Sequence, residues 1–116
     1  MKTTFLIIRV LIALFLCIAV VVHLVGPFFP DKLPEPLWSH AIHFICYSIC
    51  LFTFLRPVKF RLPFYLIASV YPVFYHSRCF FTQLVDLHKF NSICFEVIVI
   101  LPLGALLIFT ENKKAE

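Results

Sequence analysis

A chain of 116 residues that is 62% hydrophobic and only 14% charged lies far from soluble domains, where those fractions are about 45–50% and about 25%. A water-soluble fold of this length has no interior able to hide so much apolar surface, and the small net charge of +4 gives no reason to expect a nucleic-acid partner. The apolar residues fall into four runs separated by short charged gaps. Because lipid offers no water to backbone amides, each run must satisfy its own hydrogen bonds as a helix. The expected architecture is all-α: one transmembrane domain over residues 1–116, an integral membrane bundle of four helices.

The first span is predicted over about residues 5–25, long enough at 1.5 Å per residue to cross a hydrocarbon layer of about 30 Å. Its length, the interruption by Arg9 and the lack of a small-x-small cleavage site favour a retained span over a secretory signal. The next stretch, GPFFPDKLPEP, carries four prolines, which exclude an α-helix and favour a stiff, extended connector. Trp38 follows where an interfacial aromatic is expected.

A second span is predicted over about 37–55, ending at Arg56-Pro57 in the basic connector RPVKFR. The third, about 62–81, contains Tyr65, Ser69, Tyr71, Tyr75 and His76 and therefore belongs inside a bundle. A polar segment, TQLVDLHK, leads to the fourth span at about 90–109 and the tail TENKKAE. Pro72 and Pro102 each remove a helical hydrogen bond and kink their spans, which can open a cavity between them. Fifteen Phe and two Gly argue against close seams of the GxxxG kind. Cys17, Cys46, Cys50, Cys79 and Cys94 lie in or at the ends of apolar runs without a CxxC, as small packing residues do.

Charge sets the orientation, since positively charged loops stay cytoplasmic. With a cytoplasmic N-terminus, that side holds Lys2, Arg9 by snorkelling, Arg56, Lys59, Arg61, Lys113 and Lys114, seven of the ten basic residues. Both termini are therefore expected in the cytoplasm. All five histidines then fall toward the opposite side: His23, His40, His43, His76 and His88. Tyr47, Tyr75, Arg78, Asp86 and Glu96 share that layer. His40, His43, Tyr47 and Cys50 recur at helical spacing and so share one face of the second span. Glu96 lies inside the apolar zone, where a carboxylate is expected to be neutral or paired with Arg78 or a histidine.

Several readings fit this layer. His40-x-x-His43 can chelate a metal, with His76, Asp86, His88 or Glu96 completing the coordination. Histidines on two spans, such as His43 and His76, can hold a haem. A quinone or lipid-headgroup pocket lined by Tyr and His is the third. The plainest reading has no cofactor, the imidazoles and phenols satisfying one another where the bundle meets the headgroups.

The segment SHAIHFICY, Ser39 to Tyr47, resembles the DKxxHFxxY signature of the VanZ-like family of small four-span membrane proteins. His43, Phe44 and Tyr47 carry the match, with Ser39 and His40 at the family's two leading charged positions. The resemblance implies an envelope protein that meets lipid-linked or glycopeptide material at the outer leaflet. No nucleotide-binding loop, nucleophile motif or suitably spaced carboxylate pair is present, so a non-enzymatic protein is expected. Its role is that of an accessory, anchoring or assembly subunit beside other membrane subunits in the bilayer. A bacterial inner membrane is the expected location, a mitochondrial inner membrane the alternative.

Overall fold

The computed structural model describes residues 2–115, which fold into four helices: α1 (Lys2–Val25), α2 (Leu37–Leu55), α3 (Arg61–Asp86) and α4 (Ser92–Ala115). The helical stretches match the four apolar runs, and α1, α2 and α4 are each long and apolar enough to cross a membrane. The 26 residues of α3 extend about 39 Å, but its composition is more polar. Its buried positions include Tyr65, Ser69 and His76, whereas Ile67, Val70, Phe74 and Phe81 face outward.

Successive helices pack side by side, α1 on α2, α2 on α3 and α3 on α4, and α1 meets α4 more sparsely. Ile12, Leu16, Tyr47, Cys50, Phe54, Tyr65, Leu101 and Ile108 form the centre. Tyr65 donates a hydrogen bond to the Leu101 carbonyl at 2.9 Å. Its hydroxyl occupies the place a Cβ would take at Gly104, so one of the two glycines provides a close helix approach after all. All five cysteines are free thiols, with Cys50 and Cys94 buried. Pro102 lines an open apolar groove between α3 and α4, with Leu66, Val70, Val73, Phe74 and Ala105.

Arg9 does not snorkel alone. Its guanidinium pairs with Glu111, which also takes a hydrogen bond from Arg61 Nη2 at 2.6 Å, while Arg61 Nε donates to Asn112 Oδ1 at 3.0 Å. A second Arg9 nitrogen donates to the Phe54 carbonyl at 3.4 Å. Residues from all four helices thus meet at one end of the bundle, which brings the start of α1 beside the end of α4.

The connectors depart from expectation in three places. Residues 26–36 are not extended: Gly26–Phe28 forms a 3-10 turn with Pro27 at its start. Hydrogen bonds from Lys32 and Leu33 back to the Phe29 carbonyl, at 3.2 and 2.9 Å, then fold the loop over the bundle mouth. Proline forbids the α-helix but permits these turns, which the short distance between adjacent helices requires. In TQLVDLHK, the first five residues continue α3 to Asp86, because nothing in them breaks a helix. Lys89 N–H then closes the turn on the Gln83 carbonyl at 3.0 Å, with His88 in the left-handed region. Asn91 caps α4, its Oδ1 accepting the Cys94 N–H at 3.1 Å. The tail expected after residue 109 is largely helical, to Ala115.

Candidate metal centre

At the end away from the Arg9–Glu111 pair, three helices and the 26–36 loop converge on one polar cluster. α1 supplies His23 in its last turn, the loop supplies Glu35, α2 supplies His40 and His43, and α3 supplies His76. The helical period turns His40, His43, Tyr47 and Cys50 inward together, and all four are buried. Pro36 starts α2, so Glu35 is held immediately before the first turn.

Glu35 is the hub. One carboxylate oxygen, Oε2, lies 3.1 Å from His43 Nδ1, 3.3 Å from His40 Nδ1 and 3.5 Å from His23 Nδ1. Burial alone would raise the Glu35 carboxyl, but hydrogen bonds from His23 and His43 outweigh it and hold the group well below the usual carboxylate range. It is ionised at neutral pH.

Hydrogen-bond partners assign the imidazole tautomers. His43 Nδ1 donates to the Ser39 carbonyl at 3.0 Å as well as to Glu35, which leaves the Nε2 lone pair free. That Nε2 is buried and has no partner among the described residues, and the same is true of His76 Nε2. His76 Nδ1 lies 3.3 Å from Cys94 Sγ. Among the described residues the only partner of His40 Nε2 is the Leu33 carbonyl, at 3.4 Å, which fixes its hydrogen there and turns the Nδ1 lone pair toward Glu35. His23 Nδ1 lies 3.0 Å from His40 Nδ1, so at most one of that pair carries a hydrogen.

Two acceptors, His40 Nδ1 and Glu35 Oε2, therefore face each other at 3.3 Å with His23 Nδ1 beside both, a place that a proton on His23 or a metal cation in its stead can fill. Two overlapping triads have ligand atoms within 4.8 Å of one another: His23, Glu35 and His40 under the loop, and His23, His43 and His76. In the first, the edges are 3.0, 3.3 and 3.5 Å. A tetrahedral ion with metal–nitrogen bonds of about 2.0–2.1 Å sets its ligands about 3.3 Å apart, so this triangle already has the dimensions of one face. Behind it, the contacts of His43 Nδ1 with a carbonyl and a carboxylate are those that orient metal-bound histidines.

Aromatic rings wall the cluster. Tyr47 stacks on His23 at 5.5 Å and on His43 at 5.9 Å, and Tyr75 meets His43 edge-on at 4.8 Å. Ser39 and Tyr71 share a hydrogen bond at 3.1 Å. Two of the three residues that carry the VanZ-like resemblance, His43 and Tyr47, thus sit in this cluster. His43 and His76 are 5.3 Å apart, centroid to centroid, and the rings of His23, Tyr71 and Tyr75 also cover His43. No porphyrin plane fits between this pair.

Four sequence-predicted residues lie elsewhere. Arg78, Asp86, His88 and Glu96 are exposed. Arg78 and Glu96 follow the inward-facing His76 and Cys94 by two residues, about 200° around their helices, so they point away from the cluster. Glu96 is exposed and forms no ion pair among the described residues, so of the two expected states the pairing with Arg78 or a histidine is not seen. Asp86 lies more than two turns beyond His76, at the far end of α3, and His88 in the turn that follows it. His23, which sequence reasoning placed in the layer but in no ligand set, belongs to both triads. Glu35 was missed, although an acid between Pro34 and Pro36 one turn ahead of two histidines was the available signal. No protein family, curated protein or solved structure matches this chain.

Proposed function

We propose that this chain is a multi-pass protein of a bacterial inner membrane that holds a divalent late first-row transition-metal ion near the outer face and catalyses no reaction of its own. It crosses four times, with both termini in the cytoplasm. The observation that carries the metal reading is the preformed triangle of His23 Nδ1, His40 Nδ1 and Glu35 Oε2. Imidazole with one carboxylate is a donor set suited to zinc, copper, nickel or iron.

Topology draws support from two features. Arg9, Arg56, Lys59, Arg61, Lys113 and Lys114 gather at the end opposite the histidines, the bias of a cytoplasmic face. The apolar outer face of α3 suits it to be the fourth crossing despite its polar interior.

The test is metal binding by the purified protein in detergent, after chelator treatment, with cobalt(II) as a spectroscopic probe. One cobalt per chain with tetrahedral visible bands is expected, and loss of that binding in His23→Gln. Equal, weak uptake by the two proteins would refute the reading.

A second reading, an anchoring or assembly subunit, is favoured by α1. Ile7, Leu11, Leu14, Ile18 and Val21 alternate at intervals of four and three and are all exposed, the seam spacing at which helices pair. Mild extraction should then retain stoichiometric membrane partners; a lone monodisperse chain counts against this role.

A further inference from the structure

We infer that the cluster is a two-position relay, in which an ion captured by His23, Glu35 and His40 beneath the loop passes to a deeper position formed by His23, His43 and His76. The inference rests on the metal-binding reading above and goes beyond it by assigning a second position and a direction of travel.

The deeper position is marked by two nitrogens. His43 Nε2 and His76 Nε2 are both buried without a partner among the described residues, in side chains whose residues are 0% and 8% exposed. Buried polar atoms are almost always hydrogen-bonded, so each such exception calls for a ligand or another specific cause. Their two residues belong with His23 to one group whose potential ligand atoms lie within 4.8 Å of one another. His43 is three residues into α2 beyond His40, about 4.5 Å further along the helix axis, which makes this triad the inner one.

His23 is common to both triads. A neutral imidazole offers a single lone pair, so His23 serves one position at a time and the chain holds one ion, not two. Passage inward exchanges Glu35 and His40 for His43 and His76, with His23 as the shared ligand and the oxidation state of the metal unchanged. Glu35 keeps a task after the exchange: its Oε2, 3.1 Å from His43 Nδ1, orients the imidazole that now binds the ion. The outer triad needs little rearrangement, whereas the inner atoms, within 4.8 Å of one another, must draw together. Capture is therefore fast and the second step slow.

Stopped-flow mixing of cobalt(II) with the chelator-stripped, detergent-solubilised protein tests this with two variants on opposite sides of the relay. His40→Gln should reach the wild-type stoichiometry of one cobalt but load at least tenfold more slowly. His76→Gln should load at the wild-type rate but release its cobalt to excess chelator at least tenfold faster. Circular dichroism and size-exclusion profiles matching wild type qualify each variant for comparison, with Glu35→Gln replacing His40→Gln if that variant misfolds and His43→Gln replacing His76→Gln. If wild-type protein binds one cobalt and both variants load and release it at wild-type rates, or if wild type binds two, the relay is overturned while metal binding stands. No cobalt in wild type overturns both.

Discussion

Gly26 lies against the His40 imidazole so closely that a Cβ on residue 26 would overlap the ring. The first residue of the loop's 3-10 turn and a ligand of the outer triad are thereby fitted to each other. This contact, rather than any left-handed backbone angle, is what requires glycine at this position.

Gly26→Ala should therefore displace His40 without touching the ligand set. Because His40 belongs to the outer triad alone, the displacement should slow cobalt loading by about tenfold or more while one ion still binds. Stopped-flow mixing of the variant checks this, and an unchanged loading rate would show that the ring has room to shift.

Glu111 joins two guanidiniums, those of Arg9 and Arg61. Glu111→Ala leaves both without their carboxylate in a partly buried site, so it should destabilise the bundle by about 1–3 kcal/mol. Arg9→Ala leaves the Arg61–Glu111 bond intact and should have a smaller effect. Unfolding of both variants in mixed micelles gives the order, and a larger loss for Arg9→Ala would contradict the shared role of Glu111.

Gly104→Ala should overpack the α3–α4 contact at a cost of about 1–3 kcal/mol, because the Tyr65 hydroxyl stands where the new methyl would go. Tyr65→Phe removes that hydroxyl and its bond to Leu101. In the double variant the two losses should add to less than their sum, which a double-mutant cycle of thermal unfolding detects. Simple additivity would place the strain elsewhere.

Reporter fusions check the crossings. Alkaline phosphatase fused after Lys59 or after Glu116 should be inactive, and fused after Asp31 it should be active. Activity after Lys59 together with inactivity after Glu116 would break the even number of spans on which the outer position of the histidines depends.

The helices were legible in the sequence because apolar run length in a lipid-like composition determines them almost alone, and α2 keeps its predicted bounds of 37 and 55. Helix ends were less so: Thr82–Asp86 is polar enough to read as a loop, yet only a glycine, a proline or a competing cap would have ended α3 there. The inward face of His40, His43 and Tyr47 followed from spacing on one helix. Glu35 and the Arg9–Glu111 pair did not, since each depends on where a turn or a distant terminus returns in space. Arg78 and Glu96 follow His76 and Cys94 closely in sequence but lie on the other side of their helices, and position along the helix was all that the span assignment supplied.

The most direct measurement is an anomalous difference map, at the zinc edge, from crystals of the protein grown with zinc. A single peak within about 2.0–2.2 Å of the nitrogens of His23 and its partners in one triad is the expected result. A map with no peak between α1, α2 and Glu35, or with zinc only at the exposed His88, would contradict the metal centre.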